Sequence, residues 1–293
     1  MLGSGLKTVL NHPYNRAHPL SAVFRYLEWQ IRKRLGRPWN KSFWGDRLLT
    51  LWPDSGDSMW LLYNVLMDWP EFPFLEKYLR PGDTVIDIGA NIGVYSLWIS
   101  RFVGIKGKII AFEPARECFT RLVRQCAQNG LTQIVPENLA VSSKSGNIQL
   151  TSGRDLENYI AVNNLPSETL QHVEAISLDS YLKAVSIDEV SFLKIDVEGA
   201  EPLVLEGADL SLREQRIALI QFEVGEHWAR YGYHLVDVTN KLKHFGYIPF
   251  APDESGNDIC RIGDWGAAIR GQNLFVARSI PEILMRVKDH CTI

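Results

Sequence analysis

Short apolar blocks alternate with stretches of helical period through most of the chain. The blocks are β-branched or aromatic and end at glycine, proline or acidic residues, as buried strands do. Helices are predicted near 92–103, 115–129 and 234–245. The predicted strands are TVIDI, KIIAF, IVPENLAV, VSFLKID, IALIQFEV, YIPF and NLFVAR. This alternation predicts βαβ units and a mostly parallel sheet covered on both faces.

The first 80 residues have a different pattern. Within residues 21–40, Val23, Phe24, Leu27, Ile31 and Leu35 recur at three-to-four spacing, which predicts an amphipathic helix. We expect it to pack on the main domain; the alternatives are pairing with a second subunit or lying at a membrane surface.

A hairpin and a domain boundary complete this N-terminal pattern. RLLTLW and MWLLYN flank the turn-forming PDSGDS, which predicts the hairpin, and a short helix then ends at Pro81-Gly82. The predicted organisation is an N-terminal helical and hairpin extension over 1–80 and a larger domain over 81–293. The polar stretch 142–172 is typical of an added hairpin or lid.

Charge and cysteine content limit the class of protein. Net charge is −3, but residues 1–50 carry nine Lys/Arg against two Asp/Glu, so this segment is +7 and the rest −10. Such a head is usually a solvated face, and the alternative is contact with an acidic surface. The four cysteines lack metal-site or redox spacing, and the sequence lacks an apolar run of about 20 residues. We expect reduced thiols, a cytoplasmic location, no membrane span and no nucleic-acid partner.

The stretch TVIDIGANIG, residues 84–93, predicts a ligand-binding turn. A strand that ends in Asp87 passes into Gly89 and Gly93 before a helix, so free N–H groups and a helix N-terminus face one point. The spacing G-x-x-x-G lacks the three-glycine dinucleotide pattern, which favours a smaller nucleoside-type cofactor. Glu113, at the end of the next strand, can accept hydrogen bonds from both ribose hydroxyls, or cap the following helix.

Four blocks in order, DTVIDIGANIGVYSL, AFEPARECFTRL, ENLAVSSKSG and LKIDVEGAEPLVLEGA, resemble the motifs of the FkbM-type S-adenosylmethionine-dependent methyltransferases. The resemblance implies a class I methyltransferase fold, Rossmann-like, with a seven-stranded mostly parallel sheet whose last strand is antiparallel. It also implies S-adenosyl-L-methionine as cofactor and O-methylation of a sugar or secondary-metabolite hydroxyl, as in natural product biosynthesis. The implied cofactor residues are Asp87, Gly89, Ala90, Asn91, Gly93, Glu113, Pro114, Asn138, Ala140 and Asp196.

Asn91 in this set has two interpretations of equal weight. Its side chain could bind the methionine end of the cofactor, or it could cap the helix that follows. Pro114, Asn138 and Ala140 are expected around the adenine.

Carboxylates at two further strand ends are the candidate catalytic groups. LKIDVEGAE carries Lys194, Asp196 and Glu201, and the next strand ends in Glu223, with His227 four residues later. Asp196 could be the general base with Lys194 as its charge partner. Alternatively, Asp196 and Glu223 could hold a divalent metal such as Mg²⁺. The structural alternative places the acids as helix caps.

Two rival functions fit parts of the pattern. A nicotinamide-dependent Rossmann oxidoreductase shares the strand, glycine and acid, but it would have a three-glycine turn. A non-catalytic binding module on a methyltransferase shell would keep the fold and lose the cofactor loop or the carboxylates. The expected partner is a small-molecule acceptor, namely a sugar, glycolipid or secondary metabolite, and a homodimer is compatible with the N-terminal helix.

Overall fold

A computed structural model describes residues 4–151, 159–161, 170–263, 265 and 272–289. The strands are β1 Trp39–Phe43, β2 Arg47–Leu51, β3 Thr84–Ile88, β4 Lys108–Phe112, β5 Ile134–Glu137, β6 Ala140–Val141, β7 Gly146–Thr151, β8 Leu170–Ile176, β9 Val190–Ile195, β10 Ile217–Val224, β11 Ile248–Pro252, β12 Ile259–Arg261 and β13 Gln272–Ala277.

Helices precede, separate and cover these strands. They are α1 Ser4–Asn11, α2 Pro13–Ala17, α3 Pro19–Leu35, α4 Gly56–Asn64, α5 Glu71–Tyr78, α6 Val94–Val103, α7 Arg116–Gln128, α8 Leu178–Ala184, α9 Glu201–Gly207, α10 Asp209–Arg213, α11 Leu235–His244 and α12 Ile280–Asp289. A 3₁₀ helix spans Glu226–Tyr231. Among the described helices, none is long and apolar enough to cross a membrane.

The central sheet has the order β12-β11-β13-β10-β9-β3-β4-β5. β3 pairs in parallel with β4 and with β9, β9 with β10, and β4 with β5, while β13 runs antiparallel to β10 and β11. Without the short β12, this is the seven-strand order of a class I methyltransferase, so the predicted fold class is confirmed. The strand order reverses between β3 and β9, where ligands bind in open α/β sheets.

Each central strand sends alternate side chains to opposite faces of the sheet. Val85, Ile109 and Phe192 join one buried cluster, while their neighbours Ile86 and Ile110 join the other. Helices α5, α6 and α12 cover the first face, together with the N-terminal segment; α8, α9, α10 and α11 cover the second. Because Trp29 and Leu51 belong to the first cluster, the extension and the sheet share one core.

The predicted hairpin in the extension is misplaced. The hairpin pairs β1 with β2 around Trp44-Gly45-Asp46, and MWLLYN forms most of α4. Ser55 begins that helix, because its side chain accepts a hydrogen bond from the Ser58 N–H. In the polar stretch 142–172, β7 pairs antiparallel with the start of β8, within a small sheet of order β6-β8-β7, while 152–158 and 162–169 lie outside the described residues. The 1–80 boundary stays a prediction.

The amphipathic helix α3 packs through an unexpected face. Ala22 and Trp29 are its buried residues, whereas Phe24, Leu27 and Ile31 are exposed. Helix α3 therefore joins the core shared with the main domain, as expected, but through the face opposite the apolar stripe. Tryptophan and alanine sit on the opposite side of the helix, and burying the large indole ring decides which face turns inward.

The cysteines divide by exposure. Cys118 and Cys126 are buried, Cys260 is exposed, and Cys291 lies outside the described residues. Two of the three described thiols are thus shielded from solvent, and one is accessible to it.

Candidate active site

A cleft of about 270 Å³ lies at the carboxyl ends of β3, β4 and β9. The N-terminal segment, the small sheet and the turn after β9 complete its walls. Its lining residues are Asp57, Met67, Asp68, Asp87, Ile88, Gly89, Ala90, Asn91, Val94, Tyr95, Phe112, Glu113, Pro114, Cys118, Leu139, Ala140, Val141, Leu150, Ile160, Lys194, Asp196, Val197 and Glu198. The predicted cofactor residues lie here, except Gly93 and Asn138.

The two glycines of the β3 turn meet different neighbours. Gly89 has φ +82°, and a Cβ there would lie 1.8 Å from the backbone carbonyl oxygen of Asp196. Gly89 is therefore required by the close approach of two strand ends, in addition to any ligand. A Cβ at Gly93 would lie 2.4 Å from Leu122 Cδ1, so the absence of a side chain at Gly93 leaves room for Leu122 of α7. Gly93 therefore serves a close contact between α6 and α7.

Glu113 ties the turns after β3 and β4 together. One carboxylate oxygen accepts the Asn91 N–H and the other accepts the Ala115 N–H, each at 2.8 Å. Burial raises the pKa of Glu113 to about 7, against the effect of these two hydrogen bonds. A carboxylate has about four acceptor positions, so two remain for ribose hydroxyls. The Ala115 N–H precedes α7, so Glu113 braces the turn before that helix rather than capping it, and the ribose interpretation stays open.

Two buried oxygens at the β3 turn have no hydrogen-bond partner within the described part of the chain, namely Asp87 Oδ1 and Asn91 Oδ1. The other oxygen of Asp87 accepts the Ser96 hydroxyl at 2.6 Å. Burial raises the pKa of Asp87, and nearby Lys194 opposes that rise. Unpaired buried acceptors are costly unless a ligand donor meets them. The α-ammonium of a methionine group is such a donor, so the residues present fit S-adenosylmethionine.

The helix-cap interpretation of Asn91 is not supported. Gly93 is the N-cap residue of α6, and Asn91 Oδ1 has no hydrogen-bond partner within the described part of the chain. Asn91 has φ +48°, in the left-handed region that asparagine tolerates better than most residues. Its side chain is therefore free of the capping role.

Of the residues expected around the adenine, some line the cleft and one holds the neighbouring turn in place. Pro114, Leu139 and Ala140 line the cleft. Asn138 instead donates its side-chain N–H to the carbonyl oxygens of Glu113 at 2.8 Å and Pro114 at 3.1 Å. Asn138 thus holds the turn that carries Glu113 in place.

Lys194 and Asp196 form an ion pair at the end of β9. Lys194 Nζ donates to Asp196 Oδ2 at 2.8 Å, and the two side chains are 6% and 47% exposed. The ammonium also lies 4.5 Å from the ring centroid of Tyr95. Burial alone would lower the pKa of Lys194, but Asp196 and Asp87 together raise it. A permanent buried cation thus fixes a carboxylate that solvent and an acceptor can reach.

Sequence reasoning missed a group on the opposite wall. Tyr95 donates its hydroxyl to Asp68 at 2.6 Å, and the Gln221 side chain donates to the same hydroxyl at 3.3 Å. Burial raises the pKa of Asp68, and Asp196 adds to that rise while Tyr95 and Lys194 oppose it. The available signal was weak: Asp68 is a single acid between apolar residues in LMDWP.

Glu223 lies next to Asp196 on the neighbouring strand, because Phe222 is opposite Ile195 in the parallel register. Burial raises the pKa of Glu223, with Asp196 as the second cause. The two candidate metal ligands are thus neighbours, although Glu223 is outside the cleft lining. Among the residues that the structure describes, no group of three or more His, Cys, Asp or Glu side chains could hold a metal ion.

Glu201 and His227, both predicted catalytic, lie outside the cleft lining. The Glu201 carboxylate accepts the Val197 and Gly199 N–H groups at 3.0 and 3.2 Å and the Trp228 indole N–H at 2.8 Å. Burial raises its pKa to about 7. His227 packs against Gly199, where a Cβ would lie 2.4 Å from the histidine Cβ. This geometry favours a bracing role, which holds the turn after Asp196.

Comparison with known families matches residues 87–249, more than half of the chain, to the methyltransferase FkbM domain. The chain belongs to this family. The matched span begins at Asp87 and includes Glu113, Lys194, Asp196 and Glu223. The rival interpretation as a nicotinamide oxidoreductase required a third glycine in the β3 turn, and the sequence lacks it.

Individual FkbM relatives are distant. The methyltransferase SdnD of Sordaria araneosa is 30% identical, over 49% of this chain and 66% of that protein. The hexuronic acid methyltransferase AglP of Haloferax volcanii is 24% identical, over 58% of this chain and 69% of that protein. The chain thus spans about two thirds of the length of these relatives. A solved structure of methyltransferase FkbM from Methylobacillus flagellatus is 15% identical with a TM-score of 0.44, covering 75% of this chain and 54% of that one.

Proposed function

We propose that this protein is an S-adenosylmethionine-dependent O-methyltransferase that acts on a hydroxyl of a sugar or secondary metabolite. The observation that carries the proposal is the arrangement of one cleft. Its β3 turn presents two unpaired buried acceptors beside Glu113, and its β9 end presents Asp196, held by a buried lysine. Cofactor and acceptor groups would thus meet at adjacent strand ends.

The cofactor would be held by residues of the β3 and β4 turns. Glu113 would accept hydrogen bonds from the ribose hydroxyls, while Asp87 Oδ1 and Asn91 Oδ1 would accept from the ammonium group. Pro114, Leu139 and Ala140 offer apolar surface to the adenine. When bound, S-adenosylmethionine supplies a methyl group already activated on a sulfonium.

Asp196 is the proposed general base. Its Oδ2 is held by Lys194, which leaves Oδ1 to accept the proton of the acceptor hydroxyl. The ion pair keeps the side chain in one orientation, and Tyr95 and Asp68 hold the lysine from the other side. Because the methyl group is already activated, most of the rate enhancement can come from positioning the acceptor oxygen and its base in this way. A role for Glu223 as a metal ligand beside Asp196 finds no third His, Cys, Asp or Glu ligand within the described residues, and we propose the base that Lys194 already positions.

A hydroxyl-rich acceptor suits the wall made by the N-terminal segment. Asp57 and Asp68 lie there beside Asp196, and carboxylates accept hydrogen bonds from sugar hydroxyls. The name of the relative AglP points to a sugar acid as an acceptor in that protein. Here the excess of cleft carboxylates favours a neutral acceptor, because a second anion would be repelled.

Calorimetric titration with S-adenosylhomocysteine tests the donor site. Glu113→Ala should weaken binding at least about tenfold, because the ribose loses charge-assisted hydrogen bonds. Glu117→Ala is the matched control, since Glu117 is a highly exposed acid in the next helix. Equal affinities in both variants would refute the ribose assignment.

Methyl transfer to a panel of hydroxylated acceptors, followed with radiolabelled donor, tests Asp196. Asp196→Asn should keep donor affinity and lower turnover by about 10²-fold or more. Full turnover in this variant would refute the proposed base. Activity that is lost on chelation and restored by Mg²⁺ would support the metal alternative instead.

A further inference from the structure

Helix α3 presents a continuous apolar stripe to solvent. Leu20 and Phe24 are 77% and 71% exposed, and the later members are at least 49% exposed. At 100° per residue these positions fall within about 80° of one another around the helix axis. The stripe, called here the α3 stripe, consists of Leu20, Phe24, Leu27, Ile31 and Leu35. Exposed apolar patches of this extent usually mark an interaction surface.

The opposite face fixes the helix on the protein. Trp29 is buried, and the Arg25 guanidinium donates to the carbonyl oxygen of Tyr63 at 3.2 Å and to Asn15 at 2.5 Å. The Gln30 side chain donates to the Tyr63 hydroxyl at 3.0 Å. The orientation is therefore determined by hydrogen bonds and packing, which point the α3 stripe outward.

Basic side chains surround the end of the stripe. Arg32, Lys33 and Arg34 form the last turn of α3, and Arg37 follows it; all are exposed. The single acid in the helix sequence, Glu28, is paired with Lys41. The surface thus combines an apolar stripe with uncompensated positive charge, in a segment of net charge +7.

We propose that the α3 stripe binds the surface of a membrane that contains anionic phospholipids. A helix with an apolar face and flanking basic residues lies in the interface, with its apolar side chains among the acyl chains. Arginine and lysine beside it are attracted to anionic headgroups. A second copy of this chain is a poorer occupant, because two surfaces of the same positive charge would repel each other.

The bound surface would lie close to the acceptor wall of the cleft. Phe24 and Arg25 line a shallow depression together with Val65. Asp68 follows Val65 by three residues, which is at most about 11 Å of extended chain. Membrane binding through α3 would therefore bring the cleft near the lipid surface, where an amphiphilic acceptor is concentrated.

Co-sedimentation with vesicles tests the proposal. The full chain should bind vesicles with about 30% phosphatidylglycerol in phosphatidylcholine, and bind pure phosphatidylcholine at least about tenfold more weakly. Phe24→Ser with Ile31→Ser should lower binding to the anionic vesicles about tenfold or more. Arg32→Gln with Arg34→Gln should lower it to a similar extent and remove most of its salt dependence.

A matched control removes two exposed apolar side chains elsewhere. Ile105→Ser with Val236→Ser changes residues that are 70% and 59% exposed and lie off α3, and it should bind as the unchanged protein does. Donor affinity should be the same in all variants, since none touches the cleft. The proposal is overturned if the unchanged protein does not bind, if the control loses binding equally, or if light scattering shows a dimer that Phe24→Ser with Ile31→Ser dissociates.

Discussion

Single carboxylates in this cleft make structural contacts and still keep acceptor positions for a ligand. Glu113 joins two turns through backbone N–H groups and keeps acceptor positions for a ligand. Burial gives it a pKa of about 7, so its charge changes within the range of ordinary buffers. Donor binding should therefore depend on pH through this residue.

The affinity for S-adenosylhomocysteine is expected to rise about tenfold from about pH 6 to about pH 8. Below its pKa of about 7 the Glu113 carboxyl is protonated and loses acceptor capacity; above it the ionised form would accept both ribose hydroxyls in the proposed complex. Calorimetry across this range measures the dependence. Glu113→Gln should bind weakly with a nearly flat profile, and an unchanged slope in that variant would assign the titration to another group.

Residue types at strand ends were predictable, but their partners were not. Period-2 and strand-end arguments placed Asp87, Glu113 and Asp196 at one edge of the sheet, because parallel strands share a direction. Asp68 joins them only through its contact with Tyr95, which lies 27 residues away in sequence. The role of Glu201 is also hidden from the sequence, since its three donors come from the turn after β9 and from Trp228 in the 3₁₀ helix.

At the scale of elements, the ends of β3 and β9 form one backbone-to-backbone contact. Gly89 packs against the carbonyl group of Asp196, and the Asp196 N–H donates to the carbonyl oxygen of Ile88 at 2.9 Å. The donor turn and the proposed base therefore have a fixed separation. Loss of this contact would displace both.

Gly89→Ala is expected to destabilise the protein by more than about 3 kcal/mol and to abolish donor binding. A Cβ would overlap a backbone oxygen at 1.8 Å, and backbone cannot move aside as a side chain can. Gly82→Ala is the matched control, because Gly82 also has positive φ but has open space around its Cβ position. It should cost only about 1 kcal/mol. Urea unfolding compares the two variants. Equal losses in the free energy of unfolding would show that backbone strain at positive φ, rather than overlap with Asp196, causes the destabilisation.

Element types followed from the sequence where the apolar period was long. The helices near 92–103 and 115–129 were found within a few residues as α6 and α7. The short run MWLLYN is predicted as a strand and forms helix, since five apolar residues in a row fit either period. Helix α3 is amphipathic, as its sequence predicts. The face that it buries is determined by tertiary packing around Trp29, which the apolar period does not reveal.

On the scale of the whole molecule, the N-terminal segment and the sheet are joined in one buried cluster. It extends from Val9 through Leu51 and Trp98 to Val287. The segment also supplies Asp57, Met67 and Asp68 to the cleft wall. Such continuity favours cooperative unfolding of the whole chain.

Thermal or urea unfolding should therefore give one transition. Six of the nine tryptophans lie within residues 1–80, so their fluorescence reports mainly on the extension, while far-ultraviolet circular dichroism reports on the whole fold. The two midpoints should coincide because one core supports both parts. Separate midpoints would mean that the extension unfolds as an independent unit.

The Gly89 contact also limits how acceptor choice can diversify among related chains. Because the donor turn and Asp196 cannot shift independently, changes in those strands would damage catalysis for every acceptor alike. New specificity is left to the wall around Asp57 and Asp68, which lines the cleft outside the contact between β3 and β9. A chimera that carries this wall from another family member should take the acceptor of that other protein. Its methyl-transfer chemistry should stay that of the protein that supplies the strands.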